Sequence, residues 1–487
     1  MFLFDNCFSF FIIGIASIET YFYLLLIKLV TTFIGTLLLT TKTINMNDLL
    51  YDFKTVSTLN KQKGVHNLVL AHQSELQEVN NIPCFFWGNL VQPYLTAKCW
   101  TTIAKVVRSS FGPMPASLRD PIVTAGEKQI RFEGFSSCNG VYVRLDMKPE
   151  AIDGEFIASG TTNVDFNEPM LNALNAIQKQ EKVTLAVGQN DMQVITTKAK
   201  VTERKVTLPI RWIKGLTSVQ LYLSEMDLKY ELNKLQTIQL FNSLPKGAVK
   251  GDFFITNRAG KFMFSTLLNS DCVRIGGVQR LRLLEGVLPL LDKVFIYEST
   301  DKETCALVCE FGSMQLLMAF SPDNYRGFSG EGKALETMTE NVPMEWIYGL
   351  NALLKANESF NPTMLSIENN IDFGTMEHLT SSLSSMGLLG FDLMDNSHFY
   401  RRLPFKTERI LSLNPRLKNA KKLLENADVE LLTNTPNLIE AYVKGTGVQH
   451  KVVIQNGVSK CTCDWFSSYQ GKRGICKHIL AVHLLEK

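Results

Sequence analysis

Four residues near the C-terminus constrain this 487-residue chain more than anything else in it. They are Cys461, Cys463, Cys476 and His478, spaced Cys-x-Cys-x12-Cys-x-His. Three thiols and one imidazole can close a tetrahedral site, the geometry that Zn2+ takes where it holds a fold together. Residues 441–462 read as a hairpin with Gly445, Gly447 and Gly457 at its turns. In an extended segment, residues two apart share a face, so Cys461 and Cys463 can grip one ion. Residues 475–486 read as a short amphipathic helix carrying Ile479, Leu480, Val482 and Leu484. Residues two apart on a helix lie roughly 200° apart. Cys476 therefore belongs just before the helix and His478 in its first turn. A chance cluster of core cysteines is the weaker account, because the four fall within 18 residues in an order that closes geometrically. All four positions are filled by protein, so the expected cofactor is one structural Zn2+ with no site left open for catalysis.

The stretch Cys461-Thr-Cys-Asp-Trp-Phe through Gly471-Lys-Arg-Gly-Ile-Cys-Lys-His-Ile-Leu-Ala-Val resembles the SWIM-type zinc finger. In that family a Cys-x-Cys pair, a variable loop and a Cys-x-His opening a helix form a ββα unit. All four ligand positions are present, and Trp465 and Phe466 follow the first two cysteines as the pattern expects. The resemblance implies a zinc-stabilised module that binds nucleic acid or protein. Further phrases extend it: Ser117-Leu-Arg-Asp-Pro, Phe132-Glu-Gly-Phe-Ser-Ser-Cys, Gly160-Thr-Thr-Asn-Val-Asp-Phe-Asn, Leu208-Pro-Ile-Arg-Trp-Ile-Lys-Gly and Tyr325-Arg-Gly-Phe-Ser-Gly-Glu-Gly. Together with the finger, these are similar to a family of bacterial SWIM zinc finger proteins. Members of that family are commonly encoded beside MoxR-type AAA+ ATPases and von Willebrand A-domain proteins. The resemblance runs from about residue 80 to the end. It implies those two proteins as partners and brings no catalytic residues with it.

Charge points to an anionic partner. The net charge is only +3, but residues 401–487 hold 15 Lys+Arg against 7 Asp+Glu, a balance of +8, which leaves −5 for the rest. A basic end beside a zinc module is the footprint of a nucleic-acid binder; the alternative is a solvated surface with chance asymmetry. Lys472, Arg473 and Lys477 flank the ligands, and Trp465 offers a stacking surface, so these four are the candidate DNA or RNA contacts. The remaining cysteines, Cys7, Cys84, Cys99, Cys138, Cys272, Cys305 and Cys309, follow no disulfide spacing. Thiolate ligands also need a reducing compartment. Cys305 and Cys309 sit in a strand pattern that separates them by ~13 Å on one face, which makes them core residues.

The N-terminus complicates localisation. Residues 8–39 are largely Phe, Ile, Leu and Thr, broken by Glu19 and Lys28. They are long enough to span a bilayer, yet they lack a basic lead and a small-residue cleavage site. Met46 opens Met46-Asn-Asp-Leu-Leu-Tyr-Asp-Phe, which reads as a natural start. Residues 1–45 are thus expected to be upstream sequence translated from a misplaced start, and the protein to be cytoplasmic. The alternative is a membrane anchor with the body in the cytosol.

The body reads as an α+β multidomain chain: a helical region over 46–115, an α+β body over 116–332, a helical segment over 333–430 and the ββα finger over 431–487. Strands are expected at 129–135, 140–146, 154–164 and 183–197, with a helix on Leu235, Ile238, Phe241 and Leu244. A hairpin is expected about Asn257-Arg-Ala-Gly, a helix over 281–291, and a meander at 293–298, 304–311 and 314–320. Within 375–406, a helix followed by a hairpin carrying Arg401 and Arg402 is the outline of a winged helix, which sets basic residues on phosphates. The alternative is a helical subdomain whose hairpin packs on the core. His378 and His398 are too isolated to be ligands.

Enzyme constellations are not evident. Gly327-Phe-Ser-Gly-Glu-Gly-Lys333-Ala334 imitates a phosphate loop, but Ala334 stands where a Mg2+-holding hydroxyl is needed. A glycine-rich surface loop is the better reading. Mutator-like transposases also end in SWIM fingers, but Asp146, Asp165 and Glu285 are singled out as a carboxylate set by no spacing. The function expected is that of a non-enzymatic zinc-binding adaptor docking protein or nucleic acid. A DNA-binding or transposase-related DNA-processing protein is the alternative.

Overall fold

The computed structural model describes residues 57–62, 65–71, 85–111, 121–126, 128–163, 166, 168–187, 191–196, 202–203, 210–247, 249, 251–322, 327–328, 359–385, 387–400, 415–445, 447–471 and 474–485. The chain divides into two compact units, Met1–Leu50 and Tyr51–Lys487. All described residues belong to the second. The hydrophobic extension, including residues 8–39, lies outside them. Among the described residues no helix is long and apolar enough to cross a membrane.

The body is built on two large antiparallel sheets. The seven-stranded sheet runs in the order Thr202–Glu203, Ser57–Gln62, Val65–Ala71, Asp191–Thr196, Thr184–Val187, Phe86–Leu90 and Ile152–Phe156. The eight-stranded sheet runs Met226–Asn233, Lys293–Ser299, Cys305–Glu310, Met314–Phe320, Val141–Met147, Ile130–Phe135, Ile122–Ala125 and Gly160–Asn163. The expected meander, with strands at 293–299, 305–310 and 314–320, forms the middle of this second sheet. Cys305 and Cys309 are buried there, and burial pushes both thiols up to about 12. They are core residues, as their spacing suggests. The hairpin Phe253–Arg258 to Lys261–Ser265 also forms, turning through Ala259 and Gly260 at positive φ. The helix Lys234–Asn242 is closed by a capping box between Asn233 and Gln236.

Two expectations need correcting. The region 46–115 is not helical throughout, because Ser57–Gln62, Val65–Ala71 and Phe86–Leu90 are sheet strands and only Pro93–Arg108 is an α-helix among its described residues. The strand identity comes from pairing with Asp191–Thr196 and Thr184–Val187, far along the chain. Local propensity carries no trace of such partners. The expected helix over 281–291 is instead two 3-10 turns, Val278–Leu284 and Leu288–Leu290. Gly286 and Pro289 lie in that span and work against a continuous i→i−4 ladder.

Both faces of the central strands are covered. On one face, the helix Pro93–Arg108 lays Trp100 over Phe132 at a ring separation of 5.0 Å. On the other, Tyr142, Arg144 and Asp146 alternate with the apolar residues of Val141–Met147, a pattern that by itself reads as a solvent face. Here that face is buried. Its cover is a three-stranded sheet in the order Ser359–Phe360, Ser397–Tyr400, Leu389–Asp392, which belongs to one segment with the helices Pro362–Asn369 and Phe373–Ser385. Arg144 donates to Asp146 at 2.7 Å, to the Phe391 carbonyl at 2.5 Å and to Asp392 at 3.4 Å. Arg131 pairs with Asp146 at 2.9 Å and stacks its guanidinium on Phe399 at 3.6 Å. Gly390 makes this packing possible, since a Cβ there would come within 2.1 Å of the Phe399 ring. The hairpin expected within 375–406 therefore exists, and its inner side rests on the body. Arg401 and Arg402 lie outside the described residues.

Candidate metal centre

The C-terminal module is a four-stranded antiparallel sheet, Val429–Thr435, Leu438–Lys444, Gln449–Gln455 and Val458–Cys461, with three helices. The expected turns are in place: Gly447 and Gly457 both take positive φ. The unit is larger than a bare ββα finger. The helix Pro415–Glu425 puts Leu417, Ala420 and Leu423 into one core with Ala441, Val443, Val452 and Ile454 of the sheet and with Ile479, Leu480 and Val482 of the last helix. Spacings of three along Pro415–Glu425 place its apolar residues on one stripe.

Each ligand is positioned by a distinct piece of backbone. Cys461 ends the strand Val458–Cys461. Cys463 has already left the strand and N-caps the short helix Asp464–Tyr469, its sulfur accepting the Phe466 N–H at 3.4 Å. The two cysteines thus meet by a strand end and a helix cap, where their spacing alone suggests one extended face. Cys476 stands immediately before the helix Lys477–Leu485 and accepts the Ile479 N–H at 3.5 Å. His478 is in the first turn, as its spacing requires.

The donor atoms of these four residues all lie within 4.8 Å of one another, and all four residues are buried. His478 Nδ1 is 3.7 Å from Cys461 Sγ and 4.0 Å from Cys476 Sγ. A tetrahedral zinc with Zn–S of about 2.3 Å and Zn–N of about 2.0 Å needs ligand-to-ligand edges of roughly 3.5–3.8 Å. The cluster matches that scale. Nδ1 is the nitrogen aimed at the thiols, while Nε2 is buried with no hydrogen-bond partner, and the His450 ring lies against the imidazole at 4.4 Å. The electrostatics are prepared for a cation. The Cys476 thiol is pulled down, chiefly by the hydrogen bond from the Cys461 thiol, against burial and with help from His478 and the Ile479 N–H. The same bond pushes the Cys461 thiol up. Helix-start N–H groups on sulfur favour the thiolate, and the donor set of three sulfurs and one nitrogen fits Zn2+. Among the described residues no other group of three or more His, Cys, Asp or Glu converges in this way.

Residues 450–484 match the SWIM zinc finger family model. That match covers the four clustered residues, the last two strands of the sheet and the helices Asp464–Tyr469 and Lys477–Leu485, the latter nearly to its end. The curated proteins include no match to the chain. Three solved structures are similar to about half of it. They are Proliferating Cellular Nuclear Antigen from Entamoeba histolytica (13% identity, 49% of this chain and 99% of that one, TM-score 0.33), the PCNA2–PCNA3 complex from Sulfolobus tokodaii (8%, 48% and 98%, 0.33), and A. fulgidus PCNA bound to the C-terminal region of FEN-1 (10%, 49% and 98%, 0.32). At those TM-scores the likeness carries no statement about this chain.

The other sequence candidates are distributed unevenly. Trp465 is half-buried on the module, with the Arg416 guanidinium 4.6 Å above its ring and Tyr469 packed at 5.3 Å. Lys477 is half-buried at the start of the last helix. Lys472 and Arg473 lie outside the described residues, as do Asp165 and residues 329–334 of the glycine-rich loop. The described start of that loop is partly buried. Phe328 is fully buried against Phe135 and Tyr222, and a Cβ on Gly327 would come within 2.4 Å of the Cys138 carbonyl oxygen. Asp146 is held between Arg131 and Arg144, and Glu285 pairs with Arg282 at the surface. A basic group escaped the sequence reading. Opposite the buried stripe of Pro415–Glu425, Lys418, Lys421 and Lys422 are all exposed. Their i, i+3, i+4 spacing was the available signal.

Proposed function

We propose that this chain is a non-enzymatic zinc-binding adaptor whose C-terminal module docks a polyanionic partner, nucleic acid first. The observation that supports the structural role of zinc is that four protein donors converge within 4.8 Å in a buried site. A catalytic zinc keeps a position for water or substrate. The metal would join the strand end, the Asp464–Tyr469 cap and the last helix, and supply folding energy to the module. The docking face would include the exposed Lys418, Lys421 and Lys422 row, Lys477 and Trp465. The balance of +8 over residues 401–487 favours this reading. An AAA+ ATPase of the MoxR type and a von Willebrand A-domain protein, the partners that the family resemblance implies, would act on the body.

The test is retention of fluorescent single- and double-stranded DNA and RNA by the zinc-loaded full chain across a salt series. Affinity is expected to fall steeply with salt, because each neutralised phosphate releases counterion. Replacing Lys418, Lys421 and Lys422 together with Glu should lower the log–log slope by about 2–3. Zinc-loaded protein showing no salt-sensitive retention would overturn nucleic-acid docking. Capture of the ATPase and the A-domain protein would then support the protein-docking form of the adaptor.

A further inference from the structure

A histidine that holds a metal ordinarily donates its other ring N–H to a carboxylate, a backbone carbonyl or a water, which fixes the angle and tautomer of the ring. Among the described residues His478 has no such anchor. Its Nδ1 faces the thiols of Cys461 and Cys476, and its Nε2 is buried with no hydrogen-bond partner. The angle of the imidazole then depends on packing.

The ring of His450 supplies that packing. It lies 4.4 Å from the His478 ring, centroid to centroid, with 35° between the planes. The sheet puts it there. His450 pairs with Val443 in the register of Leu438–Lys444 with Gln449–Gln455, and it shares a strand face with the buried Val452 and Ile454. Those residues form one core with Ile479, Leu480 and Val482 of the helix Lys477–Leu485. Gly445 leaves the ring its space, since a Cβ there would come within 2.6 Å of His450 Nε2. His450 is half-buried and is not one of the four converging donors. An imidazole bound to Zn2+ gives up electron density to the metal, and an aromatic face beside it favours an electron-poor ring. A stack can therefore do what a hydrogen bond at the second nitrogen ordinarily does.

We propose that His450 is a positioning residue of the metal centre, whose ring holds the His478 imidazole by stacking and so sets how tightly the module keeps its metal. This rests on the reading of the four donors as a zinc site.

The experiment is zinc competition between the full chain and a chromophoric chelator at pH 8, where an ordinary imidazole is neutral. Co2+ is loaded in parallel, and its absorption bands report the ligand geometry. His450→Ala is expected to bind Zn2+ about tenfold or more weakly, the scale on which outer residues act on metal affinity, and to shift the Co2+ bands. His450→Phe keeps a ring face without a nitrogen, and should stay within about threefold of the parent with parental bands. Gly445→Ala sets a Cβ against the ring; it should weaken Zn2+ binding and shift the bands in the parent chain and change little in His450→Ala. A parent chain that takes up no zinc would overturn the zinc reading and this proposal with it. A parent chain that holds zinc, with affinity and bands unchanged in His450→Ala, would sink the proposal alone. So would a loss in His450→Phe equal to that in His450→Ala, since a ring nitrogen and not the stack would then be the cause. His450→Phe and Gly445→Ala each keep a ring at the site, so they decide the question even where His450→Ala does not fold: shifted bands in the first with parental bands in the second refute it.

Discussion

Replacing Arg144 with Met asks whether the 359–400 hairpin is a fixed part of the body or a free wing. The guanidinium is 1% exposed and bonds Asp146, the Phe391 carbonyl and Asp392. Burial by itself lowers the guanidinium's pKa, but the carboxylates of Asp146 and Asp392 outweigh that and raise it above its ordinary value. Met keeps much of the volume and removes every donor. Asp146 keeps Arg131 at 2.9 Å, and Asp392 keeps the Met394 and Asp395 N–H groups at 2.9 and 3.3 Å. The Phe391 carbonyl loses this donor, and Asp392 loses its counter-charge. Removing one partner of a buried pair costs about 3–5 kcal/mol, and the surviving bonds place this case near the lower end, at about 3 kcal/mol. Urea unfolding at constant m-value measures it. Adding Asp392→Asn removes the stranded charge, so the double variant should recover about 1 kcal/mol or more of the sum of the singles. A loss under about 1 kcal/mol for Arg144→Met, or strict additivity, would mean that the hairpin does not rest on the sheet in solution.

Two further outcomes follow from the metal centre and from His398. Cys476→Ser should abolish stoichiometric zinc by elemental analysis and expose the amides of the strands Val429–Cys461 to hydrogen exchange while those of Val141–Met147 stay protected, because about 10–16 kcal/mol of folding energy in such modules comes from zinc. A variant that keeps one zinc and a protected Lys477–Leu485 helix would refute the ligand assignment. The folded pKa of His398 lies near 4 against an ordinary 6.5, so the unfolded chain binds the extra proton first as pH falls. Its stability contribution is complete above pH 6.5 and declines as pH drops toward 4, by up to about 3 kcal/mol. Denaturation at pH 7 and pH 4.5 should show that loss in the parent chain and a flatter dependence in His398→Gln; an identical slope in both would show that the ring is not buried.

The four residues of the candidate metal centre were legible in the sequence, because every constraint on them is local. Cys461 and Cys463 are two residues apart, Cys476 and His478 are two residues apart, and the glycine turns and the start of the last helix are all within one short stretch. Even there, the N-cap role of Cys463 and the packing of Pro415–Glu425 onto the module came only with the fold, since both depend on contacts across the core. The meander of 293–320 was legible for the same reason, its strands being neighbours in sequence and in the sheet. The strands Ser57–Gln62 and Val65–Ala71 were not, because their identity depends on partners near residues 191–203. Alternation in Val141–Met147 correctly marked a strand but could not reveal that its polar face is buried, because the cover arrives from residues 389–400. His398 illustrates the limit. Alone in the sequence it signalled nothing. Only the fold buried it between Phe360 and Phe391, because burial, and with it the lowered pKa, is a property of packing and not of spacing.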